Sequence, residues 1–446
     1  MEIREKYVQY LKEQKGKGLW EVNGETKEHI SVVYQQGKLV SSGADHQTVL
    51  YARAGEKAMG YAVSQCIEEE PEALLQQAAQ NAEALQAEAG EAERTPAPSQ
   101  GAVISDEPKQ SLSRAEVLRD AVQQVEARIP SEKKSAGLYE MIHTQWVVNQ
   151  RGLNRQFSRR RAELSIEADG KGYIVSAPSV EELDISEVLA EIEENKKIQR
   201  QPVICEAGTY RAVLSSDVVA NFWITAWQMF SGREYAAGSS ALQGRLSQKI
   251  ASEKVTLQDL PALPGSGYAF PFDCEGSEGI AVDLVRDGRF CGLMHNLETA
   301  QKLQAASTGN AGRTIGLVKG SDIVVTPKNF VMQPGQASME RLLSELGDGL
   351  YVYSAWDQFH AVNTASGEFS FPCNAAVIRG GVQQGTAYGM TMNGNIRDLL
   401  QHVEMVGNRL CYLPLLMHEA YQVAAPALLV SELSVSGNQA ASRKEE

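Results

Sequence analysis

Three runs, Ile30-Ser31-Val32-Val33-Tyr34, Thr48-Val49-Leu50-Tyr51 and Gly60-Tyr61-Ala62-Val63, carry the β-branched and aromatic residues that suit a pleated, half-buried surface. Gly37 and Gly55 punctuate them, so His29–Ser64 reads as an antiparallel meander of short strands. Upstream, Ile3–Gln14 has helical spacing. Downstream, Glu68–Glu91 is rich in Ala, Gln and Glu, with Leu74, Leu75, Ala78, Ala82 and Leu85 recurring at helical intervals. Thr95-Pro96-Ala97-Pro98-Ser99 breaks that helix. Further helices are predicted from about Ser113 to Ile129 and from Ser179 to about Arg200. Each opens on a capping box, Ser113 with Glu116 and Ser179 with Glu182. More strands are expected between Gly137 and Ser176, and Pro202 ends the last of these helices.

A chain of 446 residues exceeds what one core usually fills, and its composition shifts near 198–206. Two domains are therefore expected, residues 1–200 and 201–446. The second is Gly-rich and β-rich, through Tyr210–Leu214, Ile280–Leu284, Gly316–Val325, Leu350–Ser354, Gly367–Phe371 and Ala375–Ile378. Two helices interrupt these strands, about Ser216–Phe230 and Ile396–Val406. The expected fold is α+β: an N-terminal mixed sheet with helices on one side, and a C-terminal domain dominated by antiparallel strands.

The formal net charge of −14 disfavours a phosphate backbone or an anionic bilayer as partner, because both recruit Lys and Arg. The one basic cluster, Arg159-Arg160-Arg161 with Arg151 and Arg155 upstream, falls in a predicted strand. There it reads as a solvated edge that discourages aggregation. The longest apolar stretch, Val218–Phe230, is broken by Asn221, Thr225 and Gln228 and is too short to span a bilayer. The charged start, Met1-Glu2-Ile3-Arg4-Glu5-Lys6, lacks the apolar core of a secretory signal, and a cytoplasmic location is expected. Six dispersed cysteines with no C-x-x-C pair read as free buried thiols.

Catalytic patterns are sparse. His418-Glu419 is followed by Gln422 and Val423 where a zinc helix would place its second imidazole, so it reads as a polar pair and not as a metal site. There is no G-x-S-x-G elbow, and no cysteine in a nucleophile context. Gly238–Arg245 lacks the Lys-Ser/Thr pair of a phosphate loop.

Several motifs occur in a fixed order in the second half. Gly244-Arg245-Leu246-Ser247-Gln248-Lys249-Ile250-Ala251-Ser252 comes first, then Phe272-Asp273-Cys274-Glu275-Gly276 and Ser307-Thr308-Gly309-Asn310-Ala311. Asn363-Thr364-Ala365-Ser366-Gly367-Glu368-Phe369-Ser370, Val406-Gly407-Asn408 and Pro426-Ala427-Leu428-Leu429-Val430 follow. Together they resemble the TldD/PmbA family, also labelled modulators of DNA gyrase. The resemblance implies that a TldD-type relative binds zinc through His-Glu-x-x-x-His early in the second domain. Here the corresponding helix is Asp217–Phe230, with Ile224 and Thr225 at the His-Glu positions and Met229 at the second His. No His occurs between His143 and His295.

The chain thus resembles the PmbA branch, also called TldE. That likeness implies a non-catalytic subunit with no metal of its own, paired with a zinc-bearing TldD-type chain or homodimeric in isolation, and acting on unfolded peptides. Ser307, Thr308, Gly309 and Asn310 are the expected peptide-binding turn, offering backbone groups to an extended substrate. Two departures from the family pattern are Cys274 in place of an acidic residue and the aromatic content of the helix (Phe222, Trp223, Trp227, Phe230). The alternatives are an autonomous hydrolase using His418 and Glu419, and a protein-binding module acting on gyrase.

Overall fold

The computed structural model describes residues 3–14, 18–56, 58–68, 70–88, 102–104, 111–198, 200–315, 318–414 and 421–438. The break at Thr95–Ser99 and the His418-Glu419 pair lie outside them. The fold is α+β. The chain divides into two compact units. One comprises Met1–Leu189, Pro261–Ile280 and His295–Thr326; the other comprises Ala190–Leu260, Ala281–Met294 and Pro327–Glu446. Where the sequence suggests a single cut near residue 200, two later segments join the first unit.

The first unit is built on a 7-stranded sheet of order β3-β2-β1-β5-β6-β4, with β7 also paired to β6. Its strands are β1 (Leu19–Gln35), β2 (Lys38–Gly55), β3 (Gly60–Ser64), β4 (Ala102–Ile104), β5 (Lys134–Asn149), β6 (Asn154–Ala168) and β7 (Lys171–Ala177). β4 lies parallel to β6 and the other pairs are antiparallel, so the sheet is mixed. The first hairpin turns at Gln36-Gly37, both at positive φ (50° and 75°), the twist-matched geometry that glycine favours. Its strands run well past the short apolar runs, because the polar stretches continue the ladder: Lys27 faces Gln47 and His29 faces Asp45.

Side chains alternate across this sheet. One face presents Val22, Leu50, Ala52, Trp146 and Val148 to Tyr7 and Leu11 of α1 (Ile3–Glu13) and to Leu74, Leu75 and Ala78 of α2 (Pro71–Glu88). Gly24 lies directly beneath Trp146; a Cβ there would come within 2.1 Å of the indole. Helix α3 (Ala115–Arg128) packs against β1 and β5. It departs from the predicted capping box: Arg114 is the N-cap residue, while the Ser113 amide donates to Glu140 Oε2 (2.6 Å). The stretch after Ser179 is also not one helix. A 3-10 turn, Val180–Glu182, ends in extended backbone at Leu183, and α4 (Ser186–Lys196) starts afresh behind Asp184, whose carboxylate accepts the Ser186 amide (2.9 Å). The boundary between the units falls inside α4.

Later strands are β8 (Gly208–Leu214), β9 (Leu257–Leu260), β10 (Val282–Arg286), β11 (Arg289–Phe290), β12 (Ala311–Ile315), β13 (Val318–Val325), β14 (Asn329–Met332), β15 (Gly349–Ala355), β16 (Glu368–Arg379), β17 (Val382–Asn395), β18 (Val403–Pro414) and β19 (Gln422–Val435). β12 and β13 form a ribbon in the first unit; the others make the 10-stranded sheet of the second. Within that sheet β8, β15, β16, β17 and β19 pair in a closed ring, since β19 bonds both β17 and β8. Closure removes free edges from those strands. The predicted helix Ile396–Val406 stops at Gln401, and β18 takes over from Val403. Central to this unit is α5 (Ser216–Ala226), extended by a 3-10 turn, Trp227–Phe230.

Among the described residues no helix is long and apolar enough to cross a membrane. The cysteines are free; Cys205, Cys274 and Cys373 are buried, whereas Cys66 and Cys291 are exposed.

Candidate functional site

Helix α5 follows β8 through Ser215, whose amide donates to Val352 O (3.0 Å) and whose extended backbone starts the helix. Val218, Val219, Ala220 and Phe222–Ala226 are buried, while Asp217 and Asn221, one turn apart on one side, are only partly so. Phe222 meets Phe369 edge-on at 4.9 Å between ring centroids and Phe371 at 4.5 Å; Trp223 lies 5.1 Å from Phe330. Ile224, Thr225 and Met229 are all buried in this packing. Several polar groups near them already have partners, although the buried Trp223 Nε1 has none. Thr225 Oγ1 donates to Gln358 O (2.8 Å). The Tyr421 hydroxyl donates to Ile224 O (3.0 Å) and accepts from Trp227 Nε1 (3.1 Å). Met229 O accepts from Ser240 Oγ (2.6 Å).

Zinc in a peptidase takes three protein ligands drawn from imidazole, thiolate and carboxylate. An aliphatic side chain, a committed hydroxyl and a thioether do not fit that requirement. Among the described residues no group of three or more His, Cys, Asp or Glu is placed to hold a metal ion.

The turn Ser307–Asn310 is not an exposed donor loop, contrary to the sequence expectation. The Thr308 and Asn310 amides donate to His295 O (3.1 and 3.3 Å), and the Gly309 amide to Ser307 Oγ (3.3 Å). Thr308 Oγ1 sits 2.6 Å from Asn310 Oδ1 and accepts from the His295 amide (2.7 Å). Gly309, at φ +68°, lies so close to Glu278 O that a Cβ would come within 2.2 Å of it. The motif therefore builds a closed, buried turn around His295, and burial lowers the pKa of that imidazole.

The motif Phe272–Gly276 sits on the second face of the first sheet. Asp273 Oδ1 accepts from the amides of Glu275 and Ser277 (both 2.9 Å), and Oδ2 accepts from that of Ala311 (2.9 Å). Burial, and then the neighbouring Glu275 carboxylate, push Asp273 up to about 7. Glu275 is the outer member of a buried triad. Its Oε1 takes Arg53 Nη1 at 2.8 Å, and Arg53 Nε reaches Glu21 Oε1 at 2.7 Å. Glu275 Oε2 accepts the Leu297 amide (2.8 Å). Phe272 packs on Val147 and Leu153 beside this network.

The arginine run belongs to the same face, which corrects its reading as a solvated edge. β6 pairs with β5 along its length and, on its other side, with β4 at Asn154–Gln156 and β7 at Ala162–Ala168; between those segments, alternation sends Arg159 and Arg161 inward, where both are buried. Arg159 lies over the Phe270 ring (4.4 Å) and donates to Ala269 O (2.6 Å). Arg161 stacks on Tyr268 (4.1 Å) and pairs with Glu163 (2.7 Å), which also accepts the Tyr268 hydroxyl (2.5 Å). Arg160 turns to the opposite face and pairs with Glu140. None of this network was read from the sequence. The one available signal was a β1 start, Glu21-Val22-Asn23, with polar residues on the face away from Val22.

Comparison with known proteins places this arrangement. Residues 207–437 match the family model described as the PmbA/TldA metallopeptidase C-terminal domain. A metalloprotease of Methanothermobacter thermautotrophicus is 33% identical over 174 residues, 38% of this chain and 36% of the relative. The zinc metalloprotease TldD homolog of Saccharolobus solfataricus is 26% identical over 243 residues, 53% of this chain and 48% of that protein. Metalloprotease PmbA of Escherichia coli O157:H7 is 27% identical over 170 residues, 38% of this chain and 34% of the relative. The chain thus spans about a third to a half of the length of the curated relatives it matches. Among solved structures, TldE of Thermococcus kodakarensis superposes with a TM-score of 0.80 at 18% identity, covering 98% of this chain and 100% of its own. A candidate modulator of a DNA gyrase from Thermotoga maritima gives 0.79 at 20% identity, covering 97% and 99%. At such identities the superpositions speak for the fold, while the family match covers just over half of the residues. The protein belongs to the PmbA/TldD metallopeptidase family.

Proposed function

We propose that this chain is the non-catalytic, metal-free member of a TldD/TldE-type peptidase assembly that acts on unfolded peptides in the cytoplasm. Zinc and the general base would reside on a TldD-type partner. The observation that carries this reading is the interior of α5: Ile224, Thr225 and Met229, at the positions aligned with the family's ligands, are core side chains without an imidazole among them. The fold likeness to a protein named TldE is in keeping with it. A subunit of this kind contributes docking surface and substrate-contacting backbone, while hydrolysis proceeds at the partner's metal.

The test mixes purified protein with a TldD-type zinc metalloprotease. Co-elution, together with faster cleavage of an unstructured peptide than the partner achieves alone, is expected. Stoichiometric zinc held by this chain alone, lost to chelator together with peptidase activity, would overturn the proposal.

A further inference from the structure

A surface strap in the second unit, residues 244–250, holds cations that nothing described so far employs. Buried Leu242 and Ile250 pin its two ends. Its middle is clamped to β11, where the Ser247 amide donates to Phe290 O (2.8 Å) and the Phe290 amide donates to Gln248 O (2.9 Å). Phe290 is itself buried against Phe230 and Tyr235. On this fixed frame residues 246–249 are all exposed, Leu246 at 47%, and Ser247 holds φ +67°, a left-handed conformation that costs a serine energy. The pairing sets Lys249 directly opposite Arg289 in an antiparallel bridge. Residues so opposed share a face, and like charges there repel. Arg289 donates to Ser247 O, a neutral acceptor. Among the described residues neither of these two cations, nor Arg245, is paired with a carboxylate. Over 244–254 and 283–289 Lys and Arg outnumber Asp and Glu by five to three, and Asp283 is already held by Arg286. In a chain of net charge −14 the strap is a local positive surface.

We propose that this strap docks an acidic protein segment that also bears an apolar side chain. One carboxylate would bridge Lys249 and Arg289, and the apolar group would cover Leu246. Charge and apolar surface together select that occupant. A carboxylate between the two opposed cations replaces their repulsion with two attractions. An extended phosphate backbone has no apolar group to offer Leu246, and the acidic remainder of the chain repels it at long range. A single aliphatic side chain is too little apolar surface to anchor the chain on an anionic bilayer. The inference needs neither zinc nor a TldD-type partner, so it is measured on this chain alone, and its failure leaves the proposed assembly untouched.

Fluorescence anisotropy on the purified full chain uses a labelled, unstructured peptide carrying four glutamates and two leucines, with its glutamine counterpart as control. Saturable binding of the glutamate peptide is expected, weakening as salt is raised. K249Q/R289Q should weaken it by at least about tenfold, and L246S by roughly fivefold. Because the opposed pair repels in the free chain, K249Q alone should unfold in urea at a midpoint no lower than the parent's while binding the peptide less well. A glutamate peptide bound no better than its counterpart, or affinity indifferent to K249Q/R289Q, would overturn the inference. So would a K249Q chain less stable than the parent, or tighter binding of single-stranded DNA or of phosphatidylserine vesicles than of the peptide.

Discussion

Replacing Glu275 by Ala should be among the most damaging single changes to the first unit. Its carboxylate is 2% exposed and holds Arg53, itself 6% exposed, while Glu21 completes the triad at 2%. Removing one partner from a buried ion pair typically costs about 3–5 kcal/mol, because the surviving charge stays out of water without its counterpart. The Leu297 amide also loses its acceptor, so the upper half of that range is expected. In contrast, E21Q/R53M/E275Q removes every charge together and should remain within about 2 kcal/mol of the parent, since dehydrating three ions offsets most of what they gain from one another. Urea unfolding gives the energies, and amide exchange over β1, β2 and 295–326 localises the loss to the first unit. A cost below about 1 kcal/mol for E275A, or a triple variant less stable than the single one, would refute this account of the triad.

Y421F deletes the hydroxyl that joins Trp227 Nε1 to Ile224 O and should cost about 1–3 kcal/mol in chemical denaturation. Ile224→His, which installs one family ligand in the core, should destabilise by about 2–3 kcal/mol and leave thermal melting indifferent to added zinc. The His295 imidazole is harder to protonate in the fold than in the unfolded chain, so the unfolded state binds its proton more readily. Its contribution is complete above about pH 6.5, the ordinary histidine value, and is lost as pH falls below that toward the depressed folded pKa. H295N should flatten the slope of stability against pH in that window. R161A, which removes both the stack on Tyr268 and the pair with Glu163, should lower stability by about 3 kcal/mol or more, whereas a surface charge of the same type should change it little.

By itself the sequence determined those features whose physics is local. The first hairpin turns where Gly37 permits positive φ, and α2 buries the leucines and alanines that recur along one side of it. α5 is buried over most of its surface because its residues are mainly apolar, and the lack of imidazoles in it is a matter of composition. Tertiary structure alone decided the rest. The second face of the first sheet, with Glu21, Arg53, Arg159, Arg161 and Glu163, has the composition of a solvent face. It is buried because segments more than 90 residues beyond β6 supply Glu275, Tyr268, Ala269 and Phe270 to receive those charges. For the same reason Ser307–Asn310 resembles an open loop in sequence and is a closed turn in space, its Thr308 and Asn310 amides consumed by a His295 carbonyl that lies apart from it in the chain. Polarity along a chain records which groups need partners; only the fold determines whether water or protein provides them.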